Sequence, residues 1–206
     1  LAWPIEDAER ASNPILNDFD WAETIVCAEV KKESVHEHLR QEIEEFPEEF
    51  LLFLDAEVDL VLEGEQQEPR TLQVTRVGNE CILSDGASRH RWRVVTRTVH
   101  VTDSEAREDA TRIHQRDIVP ASWAIALDGV DVKGRFWAFF PTNTTTHLSG
   151  ILNAPWKMNS DRTGVIPGPW NEALMREAAA MIAQTLPMLG TEDDPGAPLD
   201  HFPRQL

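Results

Sequence analysis

The apolar and polar positions change period several times along the chain, and those changes predict its elements. Residues 21–30, WAETIVCAEV, form an apolar strand candidate with Thr24, Ile25 and Val26 at its centre. A helix is expected at 34–45, with Ser34 as N-cap and Glu37 at capping-box distance. Val35, Leu39 and Ile43 give it a narrow apolar stripe, so it is read as a surface helix. Pro47 ends that region, and residues 50–54, FLLFL, form an apolar core block. Alternation returns at 56–62, with Val58, Leu60 and Leu62 on one face, and again at 71–77. Residues 81–84 and 92–101 supply further strands.

Residues 103–117 mix acids and arginines and read as a loop with a short helix. An apolar segment follows at 118–127, then a turn at Asp128-Gly129, with the next strand starting within 130–133. A hydrophobic strand is expected at 136–140, a polar turn at 141–147 and a short apolar stretch at 148–154. That stretch leads into a loop at 155–162. Two prolines and two glycines then precede a helix at 171–186, with Asn171 as its cap. Leu174, Ala178 and Met181 trace its stripe, broadened by Met175, Ile182 and Leu186, and Pro187 stops it. The predicted fold is α+β: a mostly antiparallel sheet over 50–140 packed against helices, with the 171–186 helix across it. Residues 190–206 are acidic and proline-rich and read as a flexible tail.

Charge divides the chain more sharply than hydropathy. The net charge is −17 over 206 residues. Residues 1–70 hold 20 acids and 5 bases, residues 71–180 hold 12 and 13, and the remainder holds 4 and 1. An acidic front and a balanced middle argue against an autonomous nucleic-acid binder, which needs a basic face. Cys27 and Cys81 are too few for a disulfide scaffold and read as small buried hydrophobes. No run of 18 apolar residues and no signal-peptide pattern occurs, so the expectation is a cytoplasmic chain without a membrane span. The first residue is Leu, not Met, which predicts a piece of a longer protein.

Candidate chemistry is sparse. His36 and His38 point to different faces of one helix and make a poor metal pair. Arg91, Arg93 and Arg97 share strand parity beside an inward Trp92 and Val94. They read as a sheet face paired with nearby carboxylates rather than a nucleic-acid surface. Asn143-Thr144-Thr145 matches a glycosylation pattern that is read as idle. The loop at 155–162 carries Lys157 and Arg162, the only Lys or Arg residues between Arg135 and Arg176. That isolation marks it as a candidate anion contact.

The order of elements around this loop completes the reading. A strand ending in Phe-Pro is followed by a polar turn, LNAPWKMNSDR at 152–162, and then WNEAL at 170–174 opening a helix. This order resembles the module that follows the nucleotide-binding domain in GHKL-type ATPases, especially cytosolic chaperones of that class and sacsin-like proteins. The resemblance is strongest over about 135–186. It implies a two-layer α/β sandwich of the ribosomal-protein-S-five type. It implies that Arg162 reaches the terminal phosphate of ATP as the catalytic residue. Asn159 and Ser160 fall on the segment presenting it, and Lys157 joins them as a cofactor-side residue without an assigned family counterpart. ATP and Mg2+ are implied on an upstream GHKL domain of the same chain, leaving this stretch without a nucleotide pocket and inert alone. By the same likeness, 1–46 holds a linker, the last strand of the upstream domain and a connecting helix. Residues 47–189 form the transducer-like domain, and 190–206 the tail. A homodimer and a separate protein partner stay open. The alternative readings are a non-catalytic module that binds a basic partner through its acidic front and, more weakly, a nucleic-acid-associated module using Arg91, Arg93 and Arg97.

Overall fold

The computed structural model describes residues 22, 24–26, 30–64, 68–86, 88–110, 118–129 and 132–202. The chain divides into two compact units, Leu1–Glu45 and Phe46–Leu206. In the first, helix α1 spans Glu33–Glu44 and buries none of its residues. Its N-cap is Lys32, without a side-chain cap bond, rather than Ser34. The expected 21–30 strand lies partly outside the described residues, and residues 22, 24–26 and 30 are not in a strand.

The second unit is built on an eight-stranded sheet in the order β1-β2-β3-β4-β5-β8-β6-β7. Its first five strands are β1 (Asp59–Leu62), β2 (Arg70–Val77), β3 (Glu80–Ser84), β4 (Arg89–His100) and β5 (Ile118–Ala126). They follow chain order and pair antiparallel. The last three are β6 (Arg135–Ala138), β7 (Phe140–Thr145) and β8 (Ile151–Asn153). The chain runs out along β6, folds back along β7 at the edge, and returns as β8 between β5 and β6. The β6–β8 pair is parallel. Because β8 has a neighbour on each side and a core on each face, all three of its residues are buried.

Helix α2 spans Ser104–Asp109, and the long helix α3 spans Pro169–Thr185. Pro169 occupies the first turn of α3, where its missing N–H costs nothing. Trp170, Leu174, Ala178, Met181 and Ile182 form its buried stripe. They pack with Ala106 and Ala110 of the α2 region on Val99, Val119, Ala121, Trp123, Ile125, Phe136 and Leu152. Met175, expected in the stripe, is exposed.

The opposite face has its own core. A 3-10 turn, Glu48–Phe53, lays Leu51 and Leu52 over Leu72, Val74, Cys81, Leu83, Trp92, Ala124, Trp137 and Ile151. Period-two alternation sends Trp123 and Ile125 to one core and Ala124 to the other. Arg76 fastens this turn by donating from Nη2 to the carbonyls of Leu51 (2.9 Å), Leu52 (3.3 Å) and Leu54 (2.6 Å). The fold is thus α+β, with a largely antiparallel sheet packed against helices on one face and a helical turn on the other. Among the described residues no helix is long and apolar enough to cross a membrane.

Two expected boundaries are corrected. The 136–140 strand breaks at Phe139, whose φ of 65° ends β6 and begins β7. The expected turn at 141–147 is mostly strand β7. Thr142 is buried and Thr144 half-buried, while Pro141, Asn143 and Thr145 are exposed. Threonine suits a pleated strand, and its polarity hid the alternation. The tail segment carries a 3-10 turn, Ala197–His201, held to the connection between β7 and β8 where Ser149 N donates to His201 O (2.8 Å).

Candidate functional site

The loop after β8 is anchored before it is exposed. Trp156 is buried, meets the Phe136 ring edge-on at 5.0 Å, and donates from Nε1 to Leu152 O (3.4 Å). Trp170, at the start of α3, donates from Nε1 to Pro155 O (2.9 Å). Asn171 then clamps the loop from inside. Its Oδ1 accepts from Lys157 N (2.8 Å), and its Nδ2 donates to Lys157 O (2.8 Å) and Ile166 O (2.7 Å). The expected helix cap is therefore a buried bridge, and Gly168 holds the N-cap position. An α3 residue facing inward finds unpaired loop backbone close by, and that need outweighs capping.

Lys157 points inward too. Its Nζ donates to the Asp109 carboxylate and to Asp109 O (2.7 Å). The other oxygen of Asp109 accepts from Trp170 N (3.2 Å), so this carboxylate also serves the α3 N-terminus. The Lys157 hydrogen bond holds the Asp109 carboxyl below the usual carboxylate range. A β-carbon on Gly168 would stand 2.6 Å from Asp109 Oδ2, which explains a glycine there.

Beyond the Met158–Val165 bridge the loop closes on itself. Asn159 N donates to Gly164 O (3.0 Å), Asn159 Oδ1 accepts from Gly164 N (3.0 Å), and Arg162 N donates to Asn159 O (3.1 Å). Asp161 Oδ1 accepts from Thr163 N (3.0 Å) and Thr163 Oγ1 (2.6 Å), which lowers the Asp161 pKa. The tip is tied to β7 through Asn143 N to Thr163 O (2.6 Å) and Val165 N to Thr144 Oγ1 (3.0 Å). Arg162 stands at the apex with φ of 59°. Its side chain is exposed and makes no hydrogen bond or ion pair with the described residues. Ser160 is exposed beside it.

The structure therefore brings Asn159, Ser160 and Arg162 into one turn and sets Lys157 apart, at the root. Lys157 is a structural cation rather than a second free positive charge. Asp109 was missed from the sequence because it lies in an undifferentiated run of charges. The β4 arginines pair as the carboxylate reading expects. Arg91 and Arg93 share Glu80 at 2.9 and 3.2 Å, and Arg97 meets Glu177 at 3.9 Å and Gln184. Among the described residues no three His, Cys, Asp or Glu side chains converge as a metal site.

Comparison with protein-family models, curated proteins and solved structures finds no match to this chain.

Proposed function

We propose that this chain is the transducer-like middle module of a longer GHKL-type ATPase, and that Arg162 is its contact to the terminal phosphate of ATP. One observation carries the reading. Arg162 is an exposed guanidinium, without a hydrogen bond or ion pair among the described residues, held in a left-handed backbone conformation at the apex of an internally bonded turn. Such a conformation disfavours every residue except glycine, with asparagine and aspartate least penalised. An arginine there points to a role in which the side chain outweighs the strain.

The chemistry suits the group. A guanidinium offers a planar fork of donors and stays charged at neutral pH. Beside a transferring phosphoryl group it stabilises charge that develops in the transition state. Supplied from a second domain, it makes hydrolysis depend on domain closure. ATP and Mg2+ belong, in this reading, to the upstream domain. Asn159 and the exposed Ser160 shape the turn, while Lys157 acts through the Asp109 node as a positioning residue. The fold is read here as a two-layer sandwich of the ribosomal-protein-S-five type, with α3 as its helical layer and the Glu48–Phe53 turn as an addition.

The test uses the longer chain carrying the nucleotide-binding domain. Single-turnover hydrolysis and equilibrium ATP binding are measured for wild type and Arg162→Ala. The expected result is a rate loss of about 10²–10³ with a much smaller change in affinity. Undiminished hydrolysis removes the role.

A further inference from the structure

A cavity of about 850 Å³ opens beside the connection between β7 and β8, and none of residues 155–166 lines it. Its lining includes Lys133, His147, Leu148, Ser149, His201 and Phe202. That volume suits a small organic molecule.

Ser149 is firmly placed. It precedes Gly150, whose φ of 90° turns the chain into β8 and whose β-carbon would stand 2.4 Å from Ala124 O, so glycine alone fits there. Ser149 N donates to His201 O (2.8 Å), and Ser149 O accepts from Trp123 Nε1 (3.1 Å). The backbone is held on both sides, so the hydroxyl is not needed to dock the turn. Its partner is the His201 ring: Ser149 Oγ and His201 Nδ1 stand 2.8 Å apart. Trp123 orients that ring, meeting it edge-on at 6.1 Å. Burial holds the His201 pKa below its usual value, against the opposing charge of Asp200, so the ring is neutral at pH 7. In the tautomer with its proton on Nε2, Nδ1 accepts from the Ser149 hydroxyl.

We propose that Ser149 and His201 form a nucleophile–base dyad that hydrolyses a small carboxylic ester bound in this cavity. Ser149 Oγ attacks the carbonyl carbon as Nδ1 takes the hydroxyl proton. The bond from that carbon to the alkoxy oxygen then breaks, the alcohol leaves with the proton, and the acyl group stays on Oγ. Water attacks the acyl carbon, passes one proton through Nδ1 back to Oγ, and releases the acid. Lys133 supplies positive charge for the carbonyl oxygen. Gly150 N donates to Val132 O (3.0 Å) and Arg135 N to Gly150 O (3.2 Å), which sets Lys133 beside the Ser149–Gly150 peptide. Its ammonium makes no hydrogen bond or ion pair with the described residues.

The chain is incubated with a fluorescent fluorophosphonate, and the adduct is located by peptide mass spectrometry. Release of p-nitrophenol from p-nitrophenyl butyrate is followed alongside. Wild type should be labelled on Ser149 and should hydrolyse the ester. Ser149→Ala keeps the amide that docks His201, so it should keep the native circular dichroism and lose both signals. His201→Asn keeps an acceptor near the Nδ1 position but no base, and both rates should fall by about 10² or more. Lys133→Met should slow both reactions. No adduct, an adduct only on other residues, or full rates in folded His201→Asn overturns the proposal, and full rates in Lys133→Met overturn the role given to Lys133. No step involves ATP or Arg162, so this result and the phosphate-contact reading fail separately.

Discussion

Lys157 and Asp109, 48 residues apart in sequence, meet where the loop root, the end of α2 and the start of α3 converge. The lysine ammonium takes one carboxylate oxygen and the Trp170 amide takes the other. One side chain therefore closes a helix N-terminus and holds the loop that carries Arg162. Both partners are mostly shielded, with 25% and 21% of their side chains exposed, so the pair outweighs an open surface ion pair.

Asp109→Ala should cost about 2 kcal/mol, because it removes the lysine's partner and the α3 cap together. Lys157→Met should cost less, since it keeps the aliphatic stem and leaves Asp109 on Trp170. The double variant should be less destabilised than the sum of the singles, by about 1 kcal/mol. Urea unfolding followed by tryptophan fluorescence measures all three. Additive costs would show that the two side chains do not act on each other.

Asn171→Ala should be more damaging. The side chain is buried and makes three bonds to backbone. Its loss takes the partner of the Lys157 amide and the Ile166 carbonyl, while Lys157 O keeps Ile166 N (3.2 Å), at a cost of about 2–3 kcal/mol. Asn171→Asp should be no milder, because it keeps the acceptor but aims a negative charge at two carbonyl oxygens. A cost below about 1 kcal/mol by the same measurement would show that the loop finds other partners.

The docking of His201 should depend on pH. Burial lowers the His201 pKa from its usual value of about 6.5. The neutral ring faces Ser149 Oγ at 2.8 Å through Nδ1 and meets Trp123 edge-on at 6.1 Å. A lowered folded-state pKa means that the unfolded chain binds the proton more readily. The docking contribution is therefore complete above about 6.5 and is lost as pH falls through the folded-state value. The measurement is the ring-proton NMR titration of His201, with the exchange rate of the Ser149 amide. The midpoint should lie below about 6.5, and exchange should quicken as the ring gains charge. A midpoint at or above the usual value contradicts the burial argument.

Much of the sheet was legible in the sequence. Strands were expected at 71–77, from alternation, and at 81–84 and 92–101, and observed β2, β3 and β4 cover most of those residues. The α3 stripe was readable because Leu174, Ala178 and Met181 repeat at helical spacing. What was not legible depends on long-range neighbours. Thr142 and Thr144 look like turn residues until β6 lies beside them. Phe139 looks like one more strand residue until Asn153 takes its amide. The loop itself was visible, yet its two cations could not be sorted. Asp109 draws Lys157 inward, and nothing in the spacing of Lys157 and Arg162 announces it.

Arg162 offers a test in which stability and function should move in opposite directions. Its φ of 59° puts the β-carbon of an L-residue too near the following carbonyl, a cost of about 1–2 kcal/mol that glycine avoids. Glycine gives back about 0.5–1 kcal/mol through its greater freedom when unfolded. The guanidinium makes no bond with the described residues that would be lost on substitution. Arg162→Gly should therefore leave stability unchanged or raise it by up to about 1 kcal/mol, whereas Arg162→Ala retains the steric cost. If Arg162 contacts the terminal phosphate, both variants should lose hydrolysis alike in the longer ATPase, because both lack the donor fork. Arg162→Lys should recover only part of the rate, since an ammonium keeps the charge without the planar pair of donors. Thermal unfolding and single-turnover hydrolysis are measured on the same preparations. A glycine variant as active as wild type would separate the backbone conformation from any phosphate contact. A glycine variant markedly less stable would mean that the arginine side chain holds the turn, and the exposed guanidinium would then need no ligand to account for it.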